Sequence, residues 1–155
     1  MRISRSGRFV FVAQWFLALV LWIWVVLGRG LLGVEMGWMA LAGVVYSVVV
    51  VPALYIPPVL SLFDREVRAG ATARSGYAVS SIVMWIALFV LLGFVLPDAG
   101  DGGALPSFVS QAFGVSEEIP AALCAVCAGA FLLGLLGAVA WAVAGIVRSS
   151  RTAAR

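Results

Sequence analysis

Four long stretches of this chain are apolar and free of charge: about Phe9 to Gly28, Gly37 to Ile56, Tyr77 to Leu96 and Ile119 to Val147. A bilayer core of about 30 Å is crossed by about 20 apolar residues at a rise of 1.5 Å each. Each stretch therefore predicts a membrane-spanning helix. The second runs into Pro57-Pro58 and the third is stopped by Pro97. Trp38, Tyr55 and Tyr77 stand at span ends, where aromatic residues favour the headgroup level.

The segments between the spans have patterns of their own. Arg29 to Met36 is short, which makes spans one and two antiparallel neighbours. After Pro58, residues Val59, Leu60, Leu62, Phe63 and Val67 continue at near-helical spacing, with Asp64 and Arg68 at i, i+4. A kinked extension of span two or a short helix on the inner surface fits this pattern, and Ala69 to Gly76 reads as loop. On the other side, Asp98 to Gly103 is turn-like. Ser107 to Val115 predicts a short helix lying in the outer interface, with Ser107 as its N-cap. Ser116, Glu117 and Glu118 then open span four, with Pro120 in its first turn.

Composition fixes the class these elements belong to. Of 155 residues, 64% are hydrophobic and 11% charged, with a mean hydropathy of +1.14, whereas a soluble domain carries roughly 25% charged residues. That excludes a soluble globular protein, a disordered chain and a nucleic-acid-binding module. The expected fold is all-α, an integral-membrane four-helix bundle forming a single domain over residues 1–155. There is no His and every basic residue is Arg, the composition of a GC-rich bacterial genome. The expected location is accordingly the bacterial cytoplasmic membrane.

Charge sets the orientation, because cytoplasmic loops carry the excess of Arg and Lys. With the N-terminus inside, Arg2, Arg5, Arg8, Arg65, Arg68, Arg74, Arg148, Arg151 and Arg155 face the cytoplasm against Asp64 and Glu66, a net +7. The outer side holds Arg29 against Glu35, Asp98, Asp101, Glu117 and Glu118, a net −4. Both termini are thus expected inside. The basic face would attract anionic lipid headgroups, and the outer acids read as a solvated rim. The first span is longer than the h-region of about 7–15 residues in a signal peptide, and Leu27-Gly28-Arg29-Gly30 is a poor cleavage site, so it reads as retained.

Candidate chemistry is sparse. Ionisable side chains inside a bilayer cost about 2.5–3.5 kcal/mol on insertion scales and mark ion pathways, and the spans hold no Asp, Glu, Lys, Arg or His. This disfavours a proton-coupled antiporter or a charge-lined channel. Gln14, in span one, is the most polar intramembrane candidate. The span count resembles that of small four-span multidrug transporters, which place a glutamate in their first helix. Gln14 is an amide that cannot carry a proton, and the long outer loop departs from that family.

Cys124-Ala125-Val126-Cys127 near the outer end of span four is the second candidate. A helix N-terminus lowers a thiol pKa, so the pair suits redox work. A four-span bundle with such a pair resembles the vitamin K epoxide reductase family, which implies thiol–quinone oxidoreduction through Cys124 and Cys127. That family has a second cysteine pair after its first helix, and Arg29 to Met36 has no cysteine. The alternatives are packing, since Cys is a small hydrophobe, lipidation, or metal binding. Packing has further support in a stripe of Ala130, Gly134, Ala138 and Ala142, with Gly37, Gly43 and Ser47 on span two as a partner stripe, because small residues let helix backbones approach.

No catalytic, cofactor or metal site is expected. The leading expectation is a non-enzymatic accessory or scaffolding subunit, a homo-oligomer or part of a membrane complex, with no nucleic-acid partner. The alternatives are a small permease for an uncharged or lipophilic compound, suggested by Gln14 and the Pro57-Pro58 break, and the thiol–quinone oxidoreductase.

Overall fold

The computed structural model describes residues 5–153 and is 80% helical. Arg2 and Arg155 lie outside the described residues. The helices are α1 (Arg5–Leu31), α2 (Trp38–Ser61), α3 (Arg65–Gly70), α4 (Ser75–Val90), α5 (Phe108–Phe113) and α6 (Glu118–Ala153). A π-helical turn, Leu91–Val95, continues α4, and a small antiparallel hairpin, β1 (Asp98–Gly100) with β2 (Gly103–Leu105), follows it. Four helices, α1, α2, α4 with its π turn, and α6, are long and apolar enough to cross a membrane. The chain has the architecture of a multi-pass membrane protein.

Helix α2 passes unbroken through Pro52, Pro57 and Pro58 to Ser61, the extension of span two expected after Pro58, and the short helix α3 follows it. Proline's φ of about −65° suits a helix, and its missing N–H is tolerated where the freed carbonyls find other donors. Past the prolines, the helix end is closed by the Ser61 hydroxyl donating to the Pro58 carbonyl at 2.7 Å and by 3.1 Å bonds from Leu62 and Phe63 to Val59 and Leu60. The expected loop from Ala69 to Gly76 is only a short connection, because α3 runs to Gly70 and α4 starts at Ser75. Ala71, with φ of 45°, ends α3 in the left-handed region.

On the opposite side, the turn-like segment after Pro97 is the hairpin. Ser107 caps α5 by accepting from the Ser110 N–H, and Gly114, with φ of 64°, terminates it.

Helix α4 is the hub of the packing. It packs most extensively on α6 and also on α1, while α2 packs on α1 and α6. In α4's span 47% of the residues are buried, against 11% in those of α2 and α6, so α4 is the most enclosed of these helices. The core gathers Val10, Leu21, Leu54, Met84, Leu88 and Ala138. Lipid tails are as apolar as these side chains, so close fit rather than removal from water holds such helices together. Gly134 shows the fit: a Cβ there would lie 2.8 Å from the Met84 backbone nitrogen and 2.9 Å from the Ser80 carbonyl oxygen. Ala138 and Ala142, further along the same face, are buried.

Candidate functional site

Polar chemistry collects at the two ends of the helices. At one end stands Arg29, in the last turn of α1, where a cation complements the helix dipole. Its side chain is buried beside Asp98, with Nε 3.6 Å from Oδ2. The guanidinium donates to the carbonyls of Leu96 and Pro106, both at 3.1 Å, and to that of Glu35 at 3.4 Å. Leu96 and Pro106 flank the hairpin, so one side chain ties both of its ends to α1.

Asp98 completes the staple from the other direction. Gly37, the N-cap of α2, has no side chain to cap its helix. Asp98 supplies the missing acceptor in trans, with Oδ2 receiving the Gly37 N–H at 2.8 Å and Oδ1 the Met39 N–H at 2.9 Å. Oδ1 also receives its neighbour Ala99 N–H at 2.7 Å. A carboxylate at a helix N-terminus is favoured by both hydrogen bonding and dipole. Gly37 is required here because a Cβ would run into the Ala99 carbonyl. Asp98 therefore does not belong to a solvated acidic rim; it is buried and engaged on both oxygens, while Asp101 at the hairpin tip is exposed.

The other end carries a second ion-pair cluster. The expected Asp64–Arg68 pair does not form; Asp64 instead caps α3 through the Glu66 N–H and binds Arg74, with Arg74 Nε at 2.6 Å from Oδ2. Arg74 Nη2 reaches Glu66 at 2.9 Å. An i, i+4 neighbour on a short exposed helix loses to Arg74 because the chain doubles back at Ala71 and brings Arg74 against the buried face of Asp64. The hydrogen bond to Asp64 is the main cause holding the Arg74 guanidinium above its ordinary pKa, against the opposing effect of burial. Gly145 of α6 makes room for the pair, since a Cβ there would strike Asp64 Oδ2. Ser61, Asp64, Arg74, Tyr77 and Trp141 line a narrow cleft between the start of α4 and α6.

Deeper along the same end lies Gln14, 1% exposed, whose Oε1 accepts the Tyr77 hydroxyl at 2.7 Å. This bond joins α1 to α4. Its Nε2 is enclosed with no acceptor. Tyr77 is thus turned into the core and is not a headgroup aromatic. Tyr55 also points inward, donating to the Trp15 carbonyl at 2.8 Å. On α4, Phe89 takes the Trp24 indole N–H on its carbonyl at 3.2 Å, beside the π turn where the ladder changes register. A Cβ at Gly93 would collide with that indole.

Cys124 and Cys127 lie one turn apart on α6, half-buried and both free thiols. Ala130 is half-buried beyond them. The backbone that comes close to Gly134 belongs to α4, from Ser80 to Met84, and the neighbour of Gly137 is Ser80. On α2, Gly37 meets the hairpin, Gly43 is buried, and the half-buried Ser47 bonds its own helix at Val44.

Both ion-pair clusters escaped the sequence pattern, although one signal was present: Arg29 stands alone among five acids on its side. The class these observations define is a multi-pass helical membrane protein with its polar groups gathered at the helix ends. No protein-family model matches the chain, and no curated protein or solved structure is detectably similar to it.

Proposed function

We propose that this chain is a non-enzymatic accessory or scaffolding subunit of a bacterial cytoplasmic membrane. In this proposal it is a four-helix bundle with both termini inside and α5 lying in the outer interface. One observation carries the reading: the buried charges are used for architecture, while α2 and α6 present broad apolar faces outward. Asp98 caps α2, Arg29 ties down the hairpin, and Asp64 and Arg74 fasten α3 to α4. Val48, Val49 and Val45 on α2 and Leu133, Leu136 and Val126 on α6 are all well exposed. Such faces suit packing against another membrane helix as well as lipid.

The orientation rests on the sorted charge. Arg8, Arg65, Arg68, Arg148 and Arg151 are exposed at the end where α1 begins and α6 finishes. The Ala73 N–H bonds the Gly7 carbonyl at 2.9 Å, which fixes the start of α1 to the connection before α4. A face of this charge associates with anionic headgroups, each arginine contributing about 1 kcal/mol near the surface.

Purification from its native membrane in mild detergent tests the subunit role. The expected result is a stable complex, either with a second protein in fixed ratio or with further copies of this chain. A strictly monomeric species that brings no protein with it contradicts the proposal.

A further inference from the structure

The arginine-rich end carries two matched pairs. Arg65 and Arg68 lie three residues apart on α3, and Arg148 and Arg151 stand at the same spacing near the end of α6. All four are exposed. Side chains at i, i+3 on a helix have Cβ atoms about 5–6 Å apart, a separation at which two guanidinium groups can converge on one phosphate. The two elements touch: α3 packs on α6, and Gly145 abuts Asp64, the residue before Arg65.

A narrow cleft at the start of α4 lies beside both elements: Asp64 and Val67, the residues preceding Arg65 and Arg68, line it together with Trp141 and Ala142 of α6. Trp141 lies two turns before Arg148 on the same side of α6, is 42% exposed, and lies against Gly76. An acyl chain below a headgroup held by Arg148 would run over this ring. The acids of this end offer little repulsion, because Asp64 and Glu66 are both engaged by Arg74.

We infer that the two arginine pairs, carried on elements that pack together, form a binding site for a phospholipid with two phosphates on one headgroup, diphosphatidylglycerol in a bacterial membrane. Two phosphates fit two pairs, whereas a single-phosphate lipid engages one pair at a time. The inference rests on the membrane reading of the chain but not on its orientation or its partner proteins.

Native mass spectrometry of the purified full chain in detergent, titrated with diphosphatidylglycerol, phosphatidylglycerol or inorganic pyrophosphate, tests it. Diphosphatidylglycerol should bind at least tenfold more tightly than phosphatidylglycerol. The double substitutions Arg65→Gln/Arg68→Gln and Arg148→Gln/Arg151→Gln should each weaken it about thirtyfold, equivalent to about 2 kcal/mol at 1.4 kcal/mol per tenfold. Equal affinity for the two lipids at equal total phosphate overturns the inference without any variant, so a misfolded variant leaves the test intact. Unchanged binding by both folded variants also overturns it, and displacement of the lipid by pyrophosphate would reassign the pairs to a soluble diphosphate. Because these measurements use the isolated chain, their failure is separate from failure of the subunit proposal.

Discussion

Asp98→Ala is expected to destabilise the protein by about 3–5 kcal/mol, the typical cost of removing one partner of a buried ion pair. Three N–H groups, those of Gly37, Met39 and Ala99, lose their acceptor at once. Arg29 is left buried with its charge uncompensated, held only by the carbonyls of Leu96, Pro106 and Glu35. The start of α2 then has no cap, since Gly37 offers none. Unfolding in mixed micelles by increasing denaturing detergent reads the loss, with Asp101→Ala on the exposed hairpin tip as a control expected within about 0.5 kcal/mol of the parent. The double variant Arg29→Ala/Asp98→Ala should cost less than the two single changes added together. A change of under about 1 kcal/mol for Asp98→Ala would mean that the staple contributes nothing beyond its geometry.

The second large effect concerns the contact between α4 and α6. Gly134→Leu introduces a Cβ at a point only 2.8 Å from the Met84 backbone nitrogen and 2.9 Å from the Ser80 carbonyl oxygen. Neither atom belongs to a flexible side chain, so the helices themselves must separate. Overpacking of this kind costs typically about 1–3 kcal/mol and more where backbone must move, and the upper end is expected here. Gly129→Leu on the same helix meets nothing within 4 Å, and leucine is the better helix former by up to about 1 kcal/mol. Thermal unfolding in mild detergent should therefore separate the two, with Gly134→Leu clearly lower and Gly129→Leu equal to or above the parent. Equal midpoints would show that α4 and α6 do not approach at Gly134.

The membrane helices were legible because length and apolarity alone determine them. The starts of α5 and α6 were legible too, through Ser107, Glu118 and Pro120, whose preferences are local. Helix partners were not, because lipid-facing and protein-facing residues are equally apolar; Val48, which is exposed, and Val10, which is buried, look alike in the sequence. The ion pairs failed for a different reason. Arg29 and Asp98 are far apart in the chain, and nothing local to Asp98 separates a helix cap in trans from a solvated acid. Asp64 had a partner of opposite charge at i, i+4 in Arg68, and only the turn at Ala71 reveals Arg74 as the actual one. For Gln14 the position was legible as an intramembrane amide, but its bond to Tyr77 depends on how α1 meets α4.

The proposed role requires a chain that crosses the membrane four times with its arginine-rich end in the cytoplasm. Single cysteines at Gly102 in the hairpin turn and at Ala69 at the end of α3, in a background with Cys124 and Cys127 replaced by Ala, measure this directly with a membrane-impermeant maleimide. Both positions are exposed. The expected result is labelling of Gly102→Cys in intact cells whose outer barrier alone is opened, and of Ala69→Cys only once the cytoplasmic membrane is breached. The reverse pattern, or labelling of both in intact cells, would contradict it.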